Sequence, residues 1–143
     1  MGWLFLYAGL TKLANPNWSA AGYLGNAKTF VGFYNWFLQP EILSSTNFIN
    51  EWGLTLLGVS LITGALVRYS GYLGALLMLL YYFPILTFPY IAPHSFLVDE
   101  HIIFSLVLFL FAALKAGRRM GLDGWCAGLP ICSKFPKVRE ILG

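Results

Sequence analysis

The sequence predicts an all-α protein: an integral membrane four-helix bundle with an amphipathic interfacial helix between spans one and two. Three observations predict it. Of 143 residues, 58% are hydrophobic and only 10% are charged, against roughly 25% charged in an ordinary soluble domain. Mean hydropathy is +0.69. The basic side chains are also shared unevenly among the segments between the apolar runs. Such a chain has too few polar side chains to coat a water-facing surface, so a membrane class follows.

Span one is Gly2 to Leu13, "GWLFLYAGLTKL". At about 18 Å of helix it is short of the ~20 residues a crossing needs, so a turn or two upstream of Met1 is expected. No cleavable leader is apparent, because the run ends in Lys12 and Asn15-Pro16 without a small-residue cleavage motif. Residues 15–50 form an outer connector. Asn15-Pro16 breaks the first helix, and Ser19 is a candidate cap for a new one. Tyr23, Ala27, Phe30, Tyr34 and Phe37 then recur at helical spacing, opposite Lys28, Gly32, Asn35 and Gln39. That pattern reads as a helix lying in the interface plane, ended by Pro40. "SSTN", Ser44 to Asn47, offers caps for the next helix.

Span two is Trp52 to Val67, and span three is Tyr69 to Thr87 with Pro84 inside. Pro84 is expected to kink span three and free a backbone carbonyl. Span four is Ser95 to Leu114. The link between spans two and three is so short that they are expected to be antiparallel neighbours. Small residues at i, i+4 (Ser60/Gly64, Ser70/Gly74, Ala112/Ala116) would permit close helix approach. Residues 1–117 thus form the bundle, and 118–143 a basic tail that begins with the turn "GLDG".

Threading the chain through a bilayer puts seven basic residues on one side, Arg68, Lys115, Arg118, Arg119, Lys134, Lys137 and Arg139, and Lys12 and Lys28 on the other. The positive-inside rule makes the first side cytoplasmic. The expected location is therefore the cell membrane, multi-pass, with the C-terminus cytoplasmic. Net charge is +3, but aliphatic interleaving argues against nucleic acid as a partner. Membrane lipids and other membrane subunits are the expected partners, and a homo-oligomer is compatible with the sequence. Cys126 and Cys132 are too few for a disulfide framework or a zinc site, and a cytoplasmic tail would keep them as thiols.

Orientation from the basic residues sets Lys12, Glu51, His94, Asp99, Glu100 and His101 at one depth, the outer half of the bundle. Intramembrane charges normally pair and face inward, so Lys12 is expected to pair with Glu51, Asp99 or Glu100. Consecutive helix positions differ by about 100°, so Asp99, Glu100 and His101 do not all point one way. A carboxylate that holds one imidazole nitrogen leaves the other to exchange a proton with a substrate oxygen. Tyr81, Tyr82, Trp52 and Tyr90 would add hydrogen-bond partners and apolar walls for a quinone headgroup. These readings make Lys12, Glu51, Asp99 and His101 the candidate catalytic residues. His94, Glu100, Tyr81 and Tyr82 are the candidate quinone contacts. No metal is assigned, because the adjacent Glu100-His101 lacks the i, i+3 di-iron carboxylate spacing.

"WLFLYAGLTKL", "NEWGLTLLGVSLITG" and "PHSFLVDEHIIFSLVLFLFAALKAGRRMGLDGW" resemble the DoxX family of small four-helix membrane proteins. DoxD, the membrane subunit of thiosulfate:quinone oxidoreductase, is a relative within that resemblance. It covers about Trp3 to Trp125, and the Cys126–Cys132 extension departs from the family's usual ending. What it implies is a membrane subunit of a redox complex, quinone-linked and acting on small sulfur compounds. The alternative reading is a non-catalytic accessory or scaffold subunit. No Gly-rich nucleotide loop, haem-attachment motif or nucleophile elbow is present to supply a cofactor of its own.

Overall fold

The computed structural model describes residues 1–92 and 95–127. The elements run α1 (Gly2–Leu13), α2 (Ala21–Gly25), α3 (Val31–Phe37), α4 (Pro40–Thr63), α5 (Val67–Ile85), β1 (Tyr90–Ala92), β2 (Ser95–Phe96), α6 (Glu100–Ala113), α7 (Ala116–Met120) and α8 (Leu122–Ala127). Among the described residues no helix is long and apolar enough to cross a membrane. This finding overturns the integral membrane four-helix bundle expected from composition. Mean hydropathy averages over the chain, whereas a crossing needs a contiguous run. α1 and α6 are 12 and 14 residues long. α4 is longer, but Glu41, Ser44, Ser45, Thr46, Asn47, Asn50 and Glu51 occupy its first half. α5 carries Arg68 near its start and Pro84 near its end.

Element boundaries moved for local reasons. Pro40 stands at the first position of α4, where its missing N–H is harmless, so the helix starts twelve residues before the expected Trp52 and takes "SSTN" into its interior. The expected single connector helix is two short ones, because Phe30 adopts a left-handed φ of 55° between them. Ser95 and Phe96, expected to open the fourth span, instead pair antiparallel with β1. The "GLDG" segment, expected as a turn, supplies the bend at Gly121 between α7 and α8 and the first residues of α8. α7 and α8 fold back against the α4–α5 turn, where Gly121 lies on Gly64 so closely that neither could carry a Cβ.

Packing pairs α1 with α4 and α5 with α6. An added Cβ on Gly58 would fall onto the Leu6 backbone, and one on Gly9 onto Thr55. α1 and α4 therefore cross backbone to backbone. Gly71 similarly admits the Leu108 carbonyl and Ala112. Where the pairs meet, Phe5, Leu54, Leu57, Ala75, Met78 and Leu108 form the main core. Ala20, Leu24 and Tyr34 form a second, smaller core beneath the connector. It lies over the end of α5, and this placement creates the candidate site.

Candidate functional site

Pro84 explains how the connector is held. Its ring nitrogen has no hydrogen, so the Leu80 carbonyl four residues earlier loses its helical donor. The buried Tyr34 hydroxyl donates to that carbonyl at 3.0 Å. Three further bonds clasp the same stretch. The Lys28 amide donates to the Pro84 carbonyl at 2.9 Å, the Thr29 hydroxyl to the Leu86 carbonyl at 2.6 Å, and the Tyr23 hydroxyl to the Tyr81 carbonyl. At the connector's start, the Ala20 amide donates to Asn47 Oδ1 on α4 at 2.9 Å.

Beneath this roof lies a cavity of about 350 Å³, with predominantly apolar walls from Trp18, Leu24, Phe37, Leu77 and Leu80. Lys12, Asn50, Tyr81 and His101 also line it. The Lys12 ammonium sits 5.2 Å from the Trp18 ring centre and 5.9 Å from that of Tyr81. Aromatic faces attract a cation but leave its donors free. Among the described residues no carboxylate lies within ion-pair distance of Lys12; the one such pair shown there is His101 with Asp99. The pairing expected for Lys12 is therefore absent. Burial lowers the Lys12 pKa from its ordinary value, and the charge of Glu51 partly opposes that shift.

Asp99 is the N-cap of α6. Its Oδ1 accepts from the amides of His101 and Ile102 at 3.1 and 3.2 Å, and its Oδ2 lies 2.6 Å from His101 Nδ1. An ionised carboxylate only accepts, so Nδ1 carries the hydrogen and Nε2 is the basic nitrogen of the neutral ring. The His101 ring meets that of Tyr81 edge to face at 6.1 Å. The "DEH" triplet is thus a helix start whose capping group also holds the imidazole. An Asp immediately before an apolar run is a start signal that the bilayer reading passed over.

The predicted residues are only partly brought together. Lys12, Tyr81 and His101 line the cavity, and Asp99 holds His101. Glu51 is part-exposed and Glu100 exposed, both outside the lining. Tyr82 turns away, its hydroxyl donating to the Leu97 carbonyl at 2.6 Å. His94, like Cys132, Lys134, Lys137 and Arg139, lies outside the described residues. Cys126 is disulfide-bonded rather than the thiol expected.

Sequence reasoning missed Asn50. It is only 8% exposed, and its Oδ1 has no hydrogen-bond partner; nor has the buried hydroxyl of Tyr81. The Asn50 amide is near enough to ease Tyr81 ionisation, yet the two groups do not meet hydrogen-bond geometry, and burial pushes the Tyr81 phenol well above its usual range. Tyr23, on the rim, is pushed up to about 12 by burial, then by Tyr34 and Asp99. The signal available was an amide in i, i+4, i+7 register with Leu54 and Leu57, the buried stripe of α4. No family model, curated protein or solved structure matches the chain.

Proposed function

We propose that this chain is a ligand-binding subunit of a redox complex, as its resemblance to the DoxX family suggests, and that it takes a quinone-type headgroup in the cavity beneath the connector. One observation supports this above the rest. The Lys12 ammonium, held against two aromatic faces with no carboxylate in contact among the described residues, and the His101 ring share one largely apolar cavity, with two unpartnered polar atoms of Asn50 and Tyr81 buried in its wall. Buried polar groups normally have partners, and apolar walls with a few convergent polar groups are the usual form of a small-molecule site. Small sulfur anions suit the Lys12 charge but would leave the apolar walls uncovered. A ring with oxygen substituents matches both.

A quinone supplies two-electron, two-proton chemistry when bound. Lys12 donates to an oxygen of the ring and favours negative charge there. His101, fixed by Asp99, gives or takes a proton through Nε2. Trp18, Leu77 and Leu80 cover the ring face and exclude water. A binding titration of duroquinone by calorimetry tests the reading. Lys12→Met and His101→Ala are each expected to weaken binding roughly tenfold or more. Affinity unchanged in both variants, with helical content preserved, would rule the site out.

A non-catalytic accessory role remains the second reading. The exposed Trp3, Leu73, Leu106 and Phe109 favour it, since a partner surface would cover them. An isolated chain that binds no quinone and recovers order only with co-purified subunits would decide for it.

A further inference from the structure

We propose that the cap formed by α7 and α8 is a docking face for an anionic phospholipid surface. The cap rests on the α4–α5 turn through its small and polar residues. Gly121 lies on Gly64, and an added Cβ on Gly117 would fall onto Asp123 and the Gly64 carbonyl. The Asp123 carboxylate accepts from the Leu66 and Val67 amides. With Gly117 and Asp123 turned inward, the outer side of the cap carries Lys115, Arg118, Arg119, Met120, Leu122 and Trp125, all exposed. Met120 is 95% exposed and Trp125 68%.

Two features of that side identify its partner. The first is charge. Lys115, Arg118 and Arg119 share this end of the helices with Arg68, at the second position of α5. The acid described there is Asp123, which is 2% exposed. Glu41, Glu51, Asp99 and Glu100 belong to the first half of α4 and the start of α6, at the opposite end. Among the described residues, then, no exposed carboxylate shares the outer side of the cap with these cations. The second feature is the mixture. Large apolar side chains stand between the cations, and Trp favours the headgroup level of a bilayer. Apolar tips can enter the boundary between headgroups and acyl chains while Arg and Lys meet the phosphates. A nucleic acid or an acidic protein would satisfy the cations but leave Met120 and Leu122 in water. Attachment of this kind needs no crossing helix, and none is present among the described residues. It is also independent of the cavity, which lies at the other end of α5.

Co-sedimentation of the full chain with vesicles tests the proposal. Vesicles containing phosphatidylglycerol are expected to bind roughly tenfold or more tighter than vesicles of phosphatidylcholine alone. That advantage should vanish at about 1 M salt, where charges are screened within about 3 Å. The double variant Lys115→Gln/Arg119→Gln should lose most of it, and Trp125→Ser should weaken binding to the anionic vesicles. These side chains are exposed, so circular dichroism should show the helices unchanged. Equal binding to both vesicle types overturns the proposal and gives attachment to the apolar flanks of the helices. Wild-type affinity in the double variant overturns it as well, as does binding to neither vesicle. Polyglutamate or duplex DNA bound as tightly as the anionic vesicles, with Trp125→Ser having no effect, would assign the face to an acidic macromolecule and overturn it too.

Discussion

The two ends of α5 treat buried polar groups in opposite ways. At its start, Asp123 is 2% exposed, and its carboxylate accepts from the Leu66 and Val67 amides at 2.8 and 3.3 Å. The same hinge pairs the Ser60 and Ser70 hydroxyls at 2.6 Å, and the Asp123 amide donates to the Gly64 carbonyl at 3.1 Å. At the other end, Asn50 Oδ1 and the Tyr81 hydroxyl are buried without partners, and Lys12 faces the cavity with no carboxylate in contact. The hinge uses polar groups as a lock. The cavity end leaves two buried polar atoms without a hydrogen bond and Lys12 without a carboxylate among the described residues, at a cost to stability. Polar residues at the hinge should therefore be worth much to folding, and those at the cavity little or less than nothing.

Substitutions at the two ends break or sharpen that contrast. Asp123→Ala strips the acceptor from two buried amides and should destabilise by about 3 kcal/mol, with Asp123→Asn intermediate, as read by thermal unfolding. Gly58→Ala drives a methyl into the Leu6 backbone and should cost about 1–3 kcal/mol in the same assay. Tyr34→Phe orphans the Leu80 carbonyl that Pro84 has already freed, and should cost about 1 kcal/mol. Asn50→Leu should go the other way, neutral or stabilising, because it removes an unsatisfied acceptor. A large loss there would show that Asn50 is a structural partner and would erase the distinction between the two ends.

The smallest effect concerns alkaline pH. Tyr23 has a folded pKa raised from 10.0 to about 12, so the unfolded chain releases its proton first. Its contribution is intact below pH 10.0 and is lost as pH rises toward about 12. Lys12 acts in the opposite sense: with its folded pKa lowered from 10.5, its burial penalty is relieved as pH climbs through the lowered value toward 10.5. Tyr23→Phe should flatten the alkaline loss of stability, and Lys12→Met should steepen it. Ultraviolet phenolate titration alongside unfolding checks both.

Helices were legible wherever a breaker or an apolar run marked them. α1 ends before Asn15-Pro16 as its sequence requires, and the carbonyl freed by Pro84 is there, satisfied by Tyr34. The misreadings share one cause. A bilayer demands long uninterrupted spans, and imposing that demand joined Ser95–Phe96 to α6. Asp99 was legible as a helix cap from its position alone, but the charged triplet drew attention as chemistry instead. Lys12, Tyr81 and His101 were found because titratable and aromatic types stand out in an apolar chain. Asn50 was not, because an amide is remarkable only once its burial and lack of a partner are known.

By itself the sequence determined most of the helical segments and the places where proline and glycine interrupt them. Those are local properties, written in neighbouring residues. Only the tertiary structure decided that the connector closes over the end of α5, that Asp123 locks the hinge, and that Asn50 and Tyr81 are buried beside the cavity with an unpartnered polar atom each. Partnership between residues 30 to 60 positions apart depends on how the helices cross. That crossing is set by close backbone approaches at Gly9, Gly58 and Gly71, which no local pattern encodes.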